Sequence, residues 1–172
     1  MRLKTSALLL AAALALPAAA PAPDAPPRVR IASFDALPKP LPLPYVETAD
    51  AEAAVKAARG RALRGNKLLL IDLGGNWCLD CRLLAGTMEL PELKRWVARH
   101  YEVVTVDIGR FDRNMQIPAR YGAGKTLEGV PALLVVDPKT GRLKNGGKVS
   151  ALADARSLSP QALADWLAQW VR

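Results

Sequence analysis

The chain has 172 residues, 51% of them hydrophobic and 23% charged, which excludes a disordered polymer and allows one domain with appendages. Its net charge of +8 comes from scattered Lys and Arg with no aromatic-interleaved stripe, so no nucleic-acid partner is expected. Two cysteines and one histidine are too few for the four ligands of a structural zinc site, and neither a metal nor another cofactor is expected.

The N-terminus reads as a secretory signal over residues 1–20. Arg2 and Lys4 form a basic start, Ala7 to Ala20 is an Ala/Leu run broken by Pro17, and small residues over Ala18 to Ala25 offer cleavage sites. The apolar run is shorter than the ~20 residues that span a bilayer, so cleavage is expected over a retained anchor. Removing it leaves a net charge of +6 and places the mature protein in the periplasm, where a cysteine pair persists as a disulfide. Residues 21–44 hold eight of the fourteen prolines and are expected as a linker, an extended tether or a segment laid over the surface.

A three-layer α/β domain is expected over residues 45–172. Thr48-Ala49-Asp50 offers an N-cap for a helix over Ala51 to Leu63 that ends near Gly65-Asn66. Lys67 to Leu73 is an apolar run fitting a strand covered on both faces, and Asp72 within it demands a reason, because burial disfavours its charged form. After Gly74-Gly75-Asn76 comes Trp77-Cys78-Leu79-Asp80-Cys81, opening a helix that runs to about Met88. Two cysteines placed at random would fall three apart roughly once in a hundred times. On the first turn of a helix, i and i+3 share a face and can close a disulfide, and the helix N-terminus favours a thiolate at the first position. A bridge across so small a loop stabilises little, so redox chemistry is the better reading than a structural staple.

Pro91 fits the first position of a helix reaching His100, with Leu93, Trp96 and Val97 on one face. Val103 to Ile108 is a β-branched strand, and Asp112 to Tyr121 a short helix that Pro118 would distort. A polar loop, 123–129, leads to Val130-Pro131 and a third apolar strand, Ala132 to Val136. After the turn at Asp137 to Gly141, Arg142 to Lys148 is expected to return as an antiparallel edge strand. Ser159-Pro160 caps a closing amphipathic helix with Leu163, Trp166, Leu167 and Trp170.

In Leu68 to Asp72, Trp77 to Cys81, Val104 to Asp107 and Val130 to Val136, the chain resembles the thioredoxin superfamily. Among its branches it looks most like secreted bacterial proteins related to the C-terminal domain of DsbD. The resemblance covers most of residues 50–172 and implies a thioredoxin-like α/β/α sandwich with a central mixed sheet. It also implies a role for each matching residue. Cys78 would be the exposed attacking thiolate and Cys81 the buried resolving thiol. Asp72 would be the partly buried carboxylate that moves the proton of Cys81. Pro131 would be a cis-proline beside the thiols, Val130 would offer its backbone to an extended substrate, and Trp77 would shield the pair.

Some residues depart from that pattern. Leu79-Asp80 stands between the cysteines in place of Gly-Pro, and an acidic residue there disfavours the thiolate and makes the pair more reducing. Gly86 stands where the active-site helix often carries proline, and an apolar residue such as Val103 replaces a lysine near the buried carboxylate. Loop 123–129 is longer than usual and would stand beside the thiols.

The expected function is a periplasmic thiol–disulfide oxidoreductase that reduces protein disulfides and is recharged by a membrane or periplasmic redox partner. The alternative is a module carrying Cu(I) on the same two thiolates, for which Met88 and Met115 are the uncommitted further ligands. A redox-inert adaptor is disfavoured by the intact pair. His100, at a helix end, is expected to cap or face solvent, and nothing else points to a Cys–His protease.

Overall fold

A computed structural model describes residues 25–171; the expected signal segment 1–20, with Arg2 and Lys4, and Pro21 and Pro23 lie outside the described residues. The centre is strand β1 (Leu68–Gly74), whose residues from Leu69 onward are all buried. It pairs in parallel with β2 (Tyr101–Asp107) and antiparallel with β3 (Ala132–Val136), giving a mixed sheet in the order β2-β1-β3.

Both faces of β1 are covered, which is why its apolar run is continuous rather than alternating. Leu69, Ile71 and Leu73 join Val55, Ala58 and Ala62 of helix α1 (Ala51–Gly65) in one core. Leu70, Leu133 and Val135 join residues of three helices in the other. Leu84 comes from α2 (Leu79–Met88), Leu93, Trp96 and Val97 from α3 (Pro91–His100), and Leu163 and Leu167 from α5 (Pro160–Ala168). At about 1.5–3 kcal/mol for each large apolar side chain, these two cores outweigh any surface ion pair in the molecule. The thioredoxin-like three-layer α/β class expected from the sequence is the class observed.

The helix ends follow local chemistry. Asp50 caps α1 by accepting the Ala53 N–H at 3.0 Å, and Asn66 closes it in the left-handed region. Ser159 caps α5 by accepting from Ala162 at 3.1 Å, with Pro160 at the first position. His100 ends α3, with its ring 4.5 Å from that of Trp96.

Two expected elements are shorter than the sequence reading made them. Helix α4 covers only Gln116–Arg120, because Phe111 and Asn114 adopt positive φ angles of 70° and 56° and hold the preceding residues in a loop. Asn114 Nδ2 donates to the Asp107 carbonyl at 2.7 Å and fixes that loop to the end of β2. Pro118 falls in the first turn of α4, where its missing N–H is not needed, so the helix is not broken there. The expected edge strand at Arg142 to Lys148 reduces to a single bridge between Leu143 and Val136. Backbone groups of Arg142, Lys144 and Val149 still bond to Asp137, Val135 and Leu133, and a side chain supplies the rest of the pairing. The buried Asn145 accepts from Val135 N at 2.9 Å and donates to the Leu133 carbonyl at 2.7 Å, standing in for a strand backbone.

The Pro-rich stretch lies against this body. Val29, Leu37 and Leu41 are buried in the core that holds α2, α3 and α5. Leu37 and Leu41 approach α2 at Gly86, where a Cβ would stand 3.3 and 3.4 Å from their methyl carbons. The glycine thus gives room for the incoming chain.

Candidate active site

The site forms where β1 ends and α2 begins. Cys78 is the N-cap residue of α2, not a member of its first turn, and its Sγ accepts the Cys81 N–H at 3.1 Å. That hydrogen bond and the positive end of the helix both favour negative charge on Cys78. The two cysteines form a disulfide with Cα atoms 5.3 Å apart. Cys81 is fully buried, and Cys78, expected to be exposed, is recessed at 4% exposure. Val130 and Pro131 are both buried, and the Val130 carbonyl oxygen lies 3.4 Å from Cys78 Sγ. The Val130-Pro131 peptide is cis.

Trp77 flanks the pair and is 43% exposed. Its Nε1 donates to the Gly109 carbonyl at 2.8 Å, the Arg110 guanidinium lies 4.2 Å from its ring centre, and the Phe111 ring is tilted 58° to it with centroids 6.4 Å apart. Gly75 permits this placement, since a Cβ there would stand 2.5 Å from Trp77 Nε1.

Asp72 lies on β1, two residues before Gly74, and is fully buried. Burial pushes its carboxyl up to about 7, against which the hydrogen bond from Tyr45 works. The Tyr45 hydroxyl donates to Asp72 Oδ1 at 2.9 Å, while Oδ2 has no partner among the described residues. Burial beside this carboxylate keeps the Tyr45 hydroxyl protonated far above its usual range. Val103, named from the sequence as the replacement for a lysine, lines a cavity of about 480 Å³ together with Asp72, Pro42–Pro44, Ala85, Met88, Glu89 and Thr105.

Three residues that contact the candidate site are not expected from the sequence. Tyr45 is one. The need of a buried carboxylate for a donor was its only signal. Asn76 is the second: its Oδ1 accepts from Tyr45 N at 3.1 Å and its Nδ2 donates to Tyr45 O at 2.7 Å, clamping that residue to the loop before Cys78. Arg156 is the third. Its backbone N–H donates to Asp80 Oδ1 at 2.9 Å, and its guanidinium reaches both carboxylate oxygens, at 3.0, 3.2 and 2.5 Å. Burial pushes the Asp80 carboxyl up, but these bonds outweigh it and hold the group below the usual carboxylate range. The charge expected to bear on the thiolate is therefore compensated by Arg156, a residue 76 positions away in sequence.

Other features lie elsewhere. A cavity of about 580 Å³ bordered by Lys67, His100, Asp137 and Arg142 opens at the opposite end of the sheet. Loop 123–129 leads to Val130 but packs on residues 143–151, with Ser150 Oγ donating to the Gly129 carbonyl at 3.1 Å. Met88 packs against one core and Met115 against the other. Among the described residues there is no cluster of three His, Cys, Asp or Glu able to hold a metal ion.

A paired Cys78 and Cys81 at a helix N-terminus, on this fold, is the arrangement of a thiol–disulfide oxidoreductase. The model of the thioredoxin-like family matches residues 49–138, more than half of the chain. A disulphide isomerase from Xylella fastidiosa Temecula1 is similar at 39% sequence identity, over 75% of this chain and 97% of that one, with a TM-score of 0.69. The oxidised C-terminal domain of Neisseria meningitidis DsbD is similar at 20% identity, over 71% of this chain and 97% of that one, with a TM-score of 0.47. A search of curated proteins found no match. By its family match, its similarity to the Xylella structure and its paired cysteines, the chain belongs to the thioredoxin-like family.

Proposed function

We propose that this protein reduces disulfide bonds in partner proteins of the bacterial periplasm, after removal of a signal over residues 1–20. The observation that carries the reading is the placement of Cys78 Sγ. It lies at the cap of α2, where the Cys81 N–H supports a thiolate, and against the Val130 backbone, where an extended substrate can lie.

In the reaction, the Cys78 thiolate attacks one sulfur of a substrate disulfide. That S–S bond breaks, the other substrate sulfur leaves with the electron pair, and a mixed disulfide forms on Cys78. Cys81 loses its proton and attacks Cys78 Sγ, which releases the second substrate thiol and closes the Cys78–Cys81 bond. Asp72 is the group we assign to take that proton, since its carboxyl titrates near neutrality. Trp77, Val130 and Pro131 are assigned to the docking surface. The reducing direction rests on the buried carboxyl of Asp72, since Arg156 compensates the charge of Asp80. A thiol–disulfide partner in the membrane or periplasm must then reduce the pair again.

The test is substrate trapping in periplasmic extract. Cys81→Ser should accumulate mixed disulfides through Cys78, and Cys78→Ser should lose exchange while keeping the fold. Cys81→Ser protein that traps nothing contradicts the reading. Reduced wild-type protein that instead retains Cu(I) through dialysis would favour the metal-carrier alternative.

A further inference from the structure

We propose that Tyr45 is a positioning residue for the second half of the exchange: its hydroxyl fixes Asp72 through Oδ1 and so presents Oδ2 as the acceptor of the Cys81 proton. The inference rests on the exchange reading of the cysteine pair.

The geometry converges above Gly74. A Cβ at that glycine would stand 2.5 Å from Tyr45 Oη and 2.8 Å from Cys81 Sγ, so hydroxyl and sulfur crowd the same small space and only glycine fits beneath them. The same hydroxyl donates to Asp72 Oδ1 at 2.9 Å. Asp72 Oδ2 is buried and has no hydrogen-bond partner among the described residues, an arrangement that costs stability and therefore calls for a functional reason.

The residue is held in place from several sides. Asn76 clamps its backbone with two hydrogen bonds, and Thr105 Oγ1 donates to the Pro44 carbonyl at 2.8 Å. Arg82, the first residue after the Cys-x-x-Cys motif, donates to the carbonyls of Leu41 and Pro42 at 3.1 and 3.2 Å. The side chains that fasten this segment thus come from the loop before Cys78, from the helix after Cys81 and from β2. The segment is built into the site.

The step balances simply. As Cys81 attacks Cys78 Sγ of the mixed disulfide, the Cys81 S–H proton passes to Asp72 Oδ2 and the electron pair of the breaking S–S bond leaves on the substrate sulfur. The proton then returns to the leaving thiolate or to water in the cavity that Asp72 shares with Glu89. Tyr45 from the N-terminal segment bonds Asp72, Glu89 at the end of α2 shares its cavity, Cys81 on α2 crowds the Tyr45 hydroxyl, and Asp107 on β2, which acts on Tyr45, carries its own partner Arg113 at 3.2 Å. Strand β3 contributes none.

The experiment follows the two thiolate releases when reduced protein meets one equivalent of dithiobis-nitrobenzoate, from pH 5 to 9. The first release reports attack by Cys78 and the second reports resolution by Cys81. Tyr45→Phe, which removes only the hydroxyl, should slow the second release by roughly tenfold or more near neutrality and move its pH midpoint upward. The first release should be unchanged. Asp72→Asn and the Tyr45→Phe/Asp72→Asn double variant should show the same second release, because Tyr45 acts through Asp72. A Tyr45→Phe protein that loses both releases equally, or keeps the wild-type midpoint, overturns the proposal. If Tyr45→Phe does not fold, Asn76→Ala, which loosens the clamp and keeps the hydroxyl, should give a smaller shift in the same direction, and an unmoved midpoint there is equally contrary. A wild-type protein with no second release would instead overturn the exchange reading itself.

Discussion

Replacing Asp72 by Asn should make the protein more stable at neutral and alkaline pH. The carboxyl titrates at 3.8 when unfolded and at about 7 in the buried site. Because the folded value is raised, the stability that depends on a protonated Asp72 is complete below pH ~4 and is lost as pH rises towards 7. At 1.36 kcal/mol per pH unit, the full loss is about 4 kcal/mol. The Asn variant keeps an acceptor for the Tyr45 hydroxyl and has no charge to desolvate. Urea denaturation of oxidised wild-type and Asp72→Asn protein, taken from pH 4 to pH 9, measures the difference directly. The two curves should converge near pH 4 and separate by up to about 4 kcal/mol above pH 7, with the variant the more stable. Parallel curves, or a variant that is less stable at pH 8, would refute the assignment of Asp72 as a buried carboxyl that ionises near neutrality.

Other outcomes follow from particular contacts. Asn145→Ala removes the side chain that pairs Val135 N and Leu133 O, leaving two buried backbone groups without partners. A loss of about 2–4 kcal/mol in chemical denaturation is expected, and a loss below 1 would mean that the chain relaxes to satisfy them. Arg156→Gln removes most of the compensation of Asp80 and should make the Cys78–Cys81 pair more reducing, on the order of 10–30 mV, in a redox titration. The half-exposed guanidinium limits the effect, and Asp80→Asn should move the potential the other way.

The fold was legible because its signals are local and repeated. Leu68 to Ile71 and Ala132 to Val136 are unbroken apolar runs, as strands covered on both faces must be, and Asp50 and Ser159 mark helix starts by ordinary capping chemistry. The Cys-x-x-Cys spacing similarly announces its own chemistry. What stayed hidden depends on long-range pairing. Tyr45 meets Asp72 across 27 positions and Arg156 meets Asp80 across 76, and no local pattern encodes either contact. The expected edge strand at Arg142 to Lys148 misled for a related reason, since the buried amide of Asn145 takes two of the pairings that a strand backbone would make. The Pro-rich segment has the composition of a tether, but Val29, Leu37 and Leu41 spaced along it each bury a side chain, as does Tyr45 directly after it.

The reduction potential of the Cys78–Cys81 pair, measured by equilibration in dithiothreitol or glutathione buffers, tests the central claim most directly. A reversible two-electron transition near the ~−270 mV of thioredoxin is the value expected of a protein that reduces its partners' disulfides. A value near the ~−120 mV of DsbA would contradict the account and mark the protein as an oxidant.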